Sequence, residues 1–262
     1  MGVVDRADTA VISIEALPGS GTRLGRLMRL PLHLVPRAAV VPILQGPIRG
    51  KRGVVGSSIH RCWLGGYESA KAGLASRLAR PGAVVFDVGA HAGYYTLIFS
   101  QAVGPAGRVV AFEPDPQNVG RLRRHLDLND AGNVTVVEAA VSDSDESGRF
   151  APGRDSYTGR LDRHGAIQVA AVTLDDLVEA GRVPPPALMK IDVEGAEMQV
   201  LAGCRRLLLS HRPTLLLAVH SARLRESCTA RLEQCGYRVE PLDSGPADAA
   251  ELLGTPAEGA GR

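Results

Sequence analysis

Three groups of residues in this chain have types and spacing that suit chemistry. The first is Phe86-Asp87-Val88-Gly89-Ala90-His91-Ala92-Gly93, an apolar run that meets an acid and closes in two glycines. Asp87 puts a carboxylate at the end of a strand, where it suits an amine or a sulfonium. Gly89 and Gly93 let the backbone come close to a ligand and adopt conformations that a Cβ hinders. A dinucleotide site is usually built on Gly-x-Gly-x-x-Gly, with the pyrophosphate at a helix N-terminus. Here Asp87 stands in place of the first glycine, and its charge would repel a pyrophosphate and attract the ammonium of a methionine moiety.

The second group is Glu113-Pro114, which ends the apolar run Val109-Val110-Ala111-Phe112. An acid at the end of a second strand accepts hydrogen bonds from both ribose hydroxyls, in S-adenosylmethionine and NAD alike. Taken with Asp87, it favours S-adenosylmethionine. The third strand leads into Ala139-Ala140-Val141-Ser142, and small side chains around Ala140 leave room for an adenine ring.

The third group is Lys190, Asp192 and Glu194, with His220 further on. Strand alternation puts Lys190 and Asp192 on one face and Ile191 and Val193 on the other. Two readings stand: an ion pair that orients the strand end, or an Asp192 that touches cofactor or acceptor. Methyl transfer from a sulfonium is an in-line displacement on a carbon that the cofactor has already activated. The protein must position the acceptor and, for a neutral hydroxyl, take up its proton. The candidates for that task are Asp192 first, Glu194 second and His220 third, the last because imidazole titrates near neutrality. Glu197 is accounted for as a first-turn acid meeting a helix dipole. Carboxylates can converge on Mg2+, but no ligand spacing requires an ion, and no metal is expected.

The elements that must hold these groups alternate. Strands are expected at 83–88, 108–112, 134–138, 187–193, 214–220 and 237–242, and helices at 94–103, 116–128, 174–180, 196–209 and 222–235. Such alternation implies right-handed crossovers and a doubly wound, mainly parallel α/β sheet. Thr173 is a plausible N-cap, and Gly236 stops the last helix. Residues 142–168 turn polar and glycine-rich, as an inserted hairpin or loop. The tail over 243–262, rich in Gly, Ala, Pro and acids, is expected to be disordered.

Residues 1–60 read as a helical and irregular extension before the domain at 61–242. Within it, Leu24, Leu27, Leu30 and Leu34 recur among arginines. Such a basic amphipathic stretch either packs over the domain, the reading favoured here, or touches a membrane surface. The chain has 262 residues with a net charge of +2, too near neutral to support nucleic-acid binding. Four cysteines without metal-ligand spacing fit a reduced, cytoplasmic protein. Neither a signal peptide nor an apolar run long enough to span a bilayer is evident.

Taken in order, the motifs resemble the FkbM family of S-adenosylmethionine-dependent methyltransferases. The segments that carry the likeness are 63–68 (Trp-Leu-Gly-Gly-Tyr-Glu), 86–96, 111–114, Thr173-Leu174-Asp175-Asp176-Leu177 and 190–197 (Lys-Ile-Asp-Val-Glu-Gly-Ala-Glu). The resemblance implies a class I, Rossmann-like methyltransferase sheet of seven strands, one of them antiparallel, with helices on both faces. It implies methylation of a hydroxyl, less often a nitrogen, on a small molecule such as a secondary metabolite or a sugar. It brings Glu68, His91 and Thr96 into the cofactor set, with Tyr67 and Glu68 either closing over the cofactor or merely starting a surface helix. One departure stands out, since members commonly carry an acid two residues before the histidine, where this chain has Ala218. Two rivals stay open: an NAD-dependent oxidoreductase, which Asp87 disfavours, and a cofactor-binding protein that has lost its acceptor site, at which Ala218 hints.

Overall fold

The computed structural model describes residues 34–64, 67–151, 160–161, 165–242 and 250–257. The leucine–arginine stretch lies outside them up to residue 33. The chain divides into two compact units, residues 1–69 and 70–262.

In the first unit, β1 (Val40–Pro42) and β2 (Arg52–Val54) form an antiparallel pair. The short helix α1 (His60–Leu64) brings Trp63 and Leu64 against Val55, Val35, Ala39 and Val41 in a small apolar cluster. Helix α2 (Ser69–Leu78) begins at the boundary and runs into the second unit.

The second unit is built on a seven-stranded sheet. Its first three strands are β3 (Val84–Val88), β4 (Arg108–Phe112) and β5 (Val134–Val137). Small strands follow: β6 (Ala140–Val141), β7 (Gly148–Ala151), β8 (Arg160–Leu161), β9 (Ile167–Val169) and β10 (Ala171–Val172). The sheet is completed by β11 (Leu188–Ile191), β12 (Thr214–Val219), β13 (Tyr237–Pro241) and β14 (Ala250–Pro256). The order is β13-β14-β12-β11-β3-β4-β5. Neighbours are parallel except around β14, which runs antiparallel to both β12 and β13. Order and direction together are those of the class I methyltransferase sheet.

The tail expectation therefore needs correction. Residues 250–256 are an inner strand, and β14 gains order from ladders on both sides rather than from its own weakly apolar sequence. The expected insertion is a three-stranded antiparallel sheet in the order β8-β7-β9.

The helices are α3 (Tyr94–Val103), α4 (Pro116–Leu128), α5 (Leu174–Glu179), α6 (Glu197–Ala202), α7 (Arg205–Ser210) and α8 (Ala222–Gln234). Three start on side-chain caps. Asp115 accepts from the Gln117 N–H at 2.8 Å, Thr173 from Asp176 at 3.1 Å and Ser221 from Leu224 at 3.2 Å. On one sheet face Phe86, Val110, Met189, Ile191, Leu215 and Leu217 join Leu174, Leu201, Leu207 and Leu232 in the main core.

The single helix expected over 196–209 is broken at Gly203-Cys204. A Cβ on Gly203 would stand 1.9 Å from the Ser142 carbonyl oxygen, and the new start at α7 is capped by a residue far away in sequence. Asp175 accepts from the Arg206 N–H at 2.9 Å and from the Leu207 N–H at 2.7 Å. Asp175→Ala should strip both donors and lower stability by about 2 kcal/mol, a fall in Tm of roughly 4–8 °C for a chain of this size. Calorimetric melting checks this, and an unchanged Tm would remove the capping role.

Candidate active site

The carboxyl ends of β3, β4, β11 and β12 gather nearly all the predicted residues in the second unit. Asp87, next to the last residue of β3, is fully buried. The Thr96 hydroxyl donates to its Oδ2 at 2.6 Å, while Oδ1 has no hydrogen-bond partner and faces the Lys190 ammonium at 3.9 Å. Burial raises the Asp87 pKa, against the pull of Lys190 and Thr96. Thr96 thus supports Asp87 from the first turn of α3.

The glycine turn is tightly constrained. Gly89 has φ +81°, and a Cβ there would lie 1.9 Å from the Asp192 carbonyl oxygen. Gly93 has φ +90°, and its Cβ would meet the Leu122 side chain at 2.5 Å. Both glycines adopt the conformations that a Cβ hinders, as expected, and the close approach seen here is to the protein's own chain. His91 also has positive φ, 51°.

Glu113 anchors this turn to β4. Its Oε2 accepts from the His91 N–H at 2.7 Å, and its Oε1 accepts from the Asp115 N–H at 3.0 Å and from Asn118 at 3.4 Å. Burial pushes its pKa up to about 7, opposed by the hydrogen bonds from Asp115, His91 and Asn118. Pro114 follows it, half-buried, before the α4 cap.

Ala140 does not sit in an open loop. It pairs with Ala171 in the β6–β10 ladder and packs with Phe150 and Val169. Glu68 belongs to the first unit, half-buried in a turn with φ 44°.

At β11, Lys190 donates to Asp192 Oδ2 at 3.1 Å and stands 4.8 Å over the Tyr95 ring. The ion-pair reading is therefore realised. Burial acts to deprotonate Lys190, but Asp192 and Asp87 outweigh it and keep it an ammonium. Burial likewise acts to raise Asp192, but Lys190, Lys71 and His220 hold it well below the usual carboxylate range.

Glu194 has φ 52°, and burial raises its pKa against the attraction of His220. His220, just beyond β12, is the hub. Its Nε2 lies 3.6 Å from Asp192 Oδ1 and 3.5 Å from Glu194 Oε2. Its Nδ1 donates to Glu197 Oε1 at 2.7 Å, and this bond, with the nearby carboxylates, raises its pKa to about 9 despite partial burial.

Glu197 is the residue that sequence reasoning missed. It is fully buried, also accepts from the Gly195 N–H at 3.0 Å, and leaves Oε2 without a hydrogen-bond partner. A dipole effect at the start of a helix does not require such burial; orienting His220 does. Ala218 also gains an explanation. Glu251 on β14 stands directly across the ladder from it, paired with Lys71. Burial raises the Glu251 pKa against Lys71, and its carboxylate supplies an acid next to the position where Ala218 has none.

The methyltransferase FkbM domain matches residues 87–239, from the buried aspartate into strand β13. The chain belongs to the FkbM methyltransferase family. Among its relatives, the hexuronic acid methyltransferase of Haloferax volcanii is 33% identical over 129 residues, 48% of this chain and 52% of that protein. The 31-O-demethyl-FK506 methyltransferase of Streptomyces tacrolimicus is 30% identical over 158 residues, 47% of this chain and 60% of that protein. A 2-O-methyltransferase of Sinorhizobium fredii is 27% identical over 159 residues, 53% of this chain and 64% of that protein. The chain thus spans less than two thirds of each of these FkbM-type relatives. No helix among the described residues is long and apolar enough to cross a membrane.

Proposed function

We propose that this FkbM-family chain binds S-adenosylmethionine and methylates a hydroxyl on a small molecule such as a sugar or a secondary metabolite. The observation that carries the reading is the juxtaposition of a cofactor edge, Asp87 and Glu113, with a proton-handling cluster, Asp192, Glu194 and His220. The relatives' names support a hydroxyl acceptor and sugars among the substrates.

The residues fit the cofactor. Asp87 keeps a buried oxygen without a hydrogen-bond partner, suited to the ammonium of the methionine moiety. Glu113 meets its backbone donors and retains acceptor capacity for ribose hydroxyls. When bound, S-adenosylmethionine supplies an activated methyl group. The chain's part is then to hold the cofactor by Asp87 and Glu113, with Gly89, His91, Gly93 and Pro114 shaping the turn between them. Lys190 fixes Asp192 at the strand exit, and Asp192 and Glu194 receive the acceptor's hydroxyl and its proton, oriented by His220, which with a pKa of about 9 is already protonated near neutrality.

Calorimetric titration of S-adenosylhomocysteine, with NADH as control, tests the reading. Saturable binding of the first alone supports it; binding of NADH alone would overturn it. Glu113 adds a signed expectation. Ribose hydroxyls donate to the ionised carboxylate, so protonation competes with binding. Affinity should fall about tenfold per pH unit below about 7 and level off above it. Glu113→Gln should weaken binding by roughly 1.5–3 kcal/mol and flatten that profile. A flat wild-type profile between pH 5.5 and 8 would return Glu113 to an ordinary carboxylate pKa, and unchanged affinity in Glu113→Gln would remove the ribose assignment.

A further inference from the structure

We infer that Asp192, Glu194 and His220 form a three-ligand site for a divalent first-row transition-metal ion such as Zn2+, with an open position for the acceptor's oxygen. The inference rests on the methyl-transfer reading only for what occupies that open position. One ligand atom from each of the three residues lies within 4.8 Å of the other two. The distances from His220 Nε2 to the two carboxylates, 3.6 and 3.5 Å, are long for charge-assisted hydrogen bonds. They are the spacing that bonds of about 2.1 Å at tetrahedral angles impose on neighbouring donors, roughly 3.4 Å.

The second observation is the buried carboxylate behind the ring. Glu197 is fully buried and takes His220 Nδ1 at 2.7 Å, which turns Nε2 toward Asp192 and Glu194. A carboxylate on the far nitrogen is the usual support of a metal-binding imidazole. Its Oε2 has no hydrogen-bond partner, so this buried group carries charge that its polar contacts do not fully meet.

Charge balance agrees. Around this sheet edge the five carboxylates of Asp87, Asp192, Glu194, Glu197 and Glu251 outnumber three cationic groups, Lys71, Lys190 and the protonated His220, and an ion at Nε2 would take the place of the imidazole's proton. Two carboxylates and one imidazole suit Zn2+ and its neighbours better than the all-oxygen shells of Ca2+ or Mg2+.

Three protein ligands leave a fourth position. An acceptor hydroxyl bound there would lose its proton to water, since the ion stabilises the alkoxide. The new C–O bond would form as the S–CH3 bond breaks, with the electron pair left on sulfur. No ligand spacing in the sequence pointed to an ion, because the donors follow the ends of two different strands and His220 reaches the other two only through the fold.

The test uses the full chain, stripped with a chelator and titrated with Co2+, whose visible spectrum reports coordination geometry, and with Zn2+ by calorimetry. Saturation near one equivalent with an intense, tetrahedral-type Co2+ spectrum is expected. His220→Ala and Asp192→Asn should each weaken binding at least tenfold, and Glu197→Gln, which would not touch the ion, by about 10–100-fold. Glu194→Gln, on a half-buried turn, guards against variants that fail to fold and should also weaken binding tenfold or more. No saturable binding, or binding unchanged in His220→Ala and Glu194→Gln, would overturn the site. A separate titration with S-adenosylhomocysteine keeps the two readings apart. An ion without cofactor binding upholds the site and sinks the methyl-transfer reading; cofactor without ion does the reverse.

Discussion

Replacing His220 should lower turnover by 10²- to 10⁴-fold, the range for disturbing positioned proton-transfer groups, here the Asp192 and Glu194 carboxylates that it orients, while S-adenosylhomocysteine affinity stays within about tenfold, near 1.4 kcal/mol. His220 stands beyond β12, two places along the sheet from β3, and it meets Asp192, Glu194 and Glu197. Two variants separate chemistry from support. His220→Ala leaves Glu197 buried with the Gly195 N–H as its remaining donor, and should also cost about 1–3 kcal/mol of stability. His220→Asn places an amide where Nδ1 was, so it can still donate to Glu197, but it has nothing at Nε2. It should restore most of the stability and none of the turnover. The readout is transfer of a labelled methyl group to whichever polyhydroxylated acceptor the wild type methylates best in a screen. Near-normal turnover by His220→Asn would show that Nε2 has no part in the reaction.

The contrast between His220 and Glu197 shows where the sequence ran out. His220 could be placed at the sheet's carboxyl edge because it follows an apolar strand, and the same logic located Asp87, Glu113 and Asp192. Those are local signals: a strand, its end and the residue exposed there. Glu197 has an adequate local explanation as a first-turn acid, and only its bond to a residue 23 positions away reveals more. The Asp175 cap on α7 was hidden for the same reason. Strand β14 failed differently, since Ala250-Glu251-Leu252-Leu253-Gly254-Thr255-Pro256 lies in tail-like composition. Its order comes from two antiparallel neighbours, a property of the assembled sheet. The family likeness required an antiparallel seventh strand but did not say where.

Gly89→Ala should be the most damaging single substitution in the turn. Two costs apply. An alanine at φ +81° adopts a left-handed conformation at about 1–2 kcal/mol. Its Cβ would also fall 1.9 Å from the Asp192 carbonyl oxygen, an overpacking that typically adds 1–3 kcal/mol once the neighbours give way. What must give is backbone, since the Gly89 N–H is bonded to the Phe112 carbonyl at 3.0 Å and the Asp192 N–H to Val88 at 3.0 Å. Relief therefore moves either the turn that carries His91 and is held by Glu113 or the strand exit that carries Asp192. Stability should fall by roughly 2–5 kcal/mol, and cofactor affinity and turnover should fall together, unlike the split expected at His220. Gly93→Ala makes the comparison informative. Its φ of +90° carries a similar backbone cost, but the obstacle is the end of the Leu122 side chain at 2.5 Å, which can rotate. Gly93→Ala should accordingly be milder, and a Leu122→Ala background should rescue part of its loss of cofactor affinity but none of that of Gly89→Ala. Equal damage at the two glycines, with no rescue of either, would mean that the turn's conformation rather than its contact with the Asp192 backbone sets the requirement for glycine.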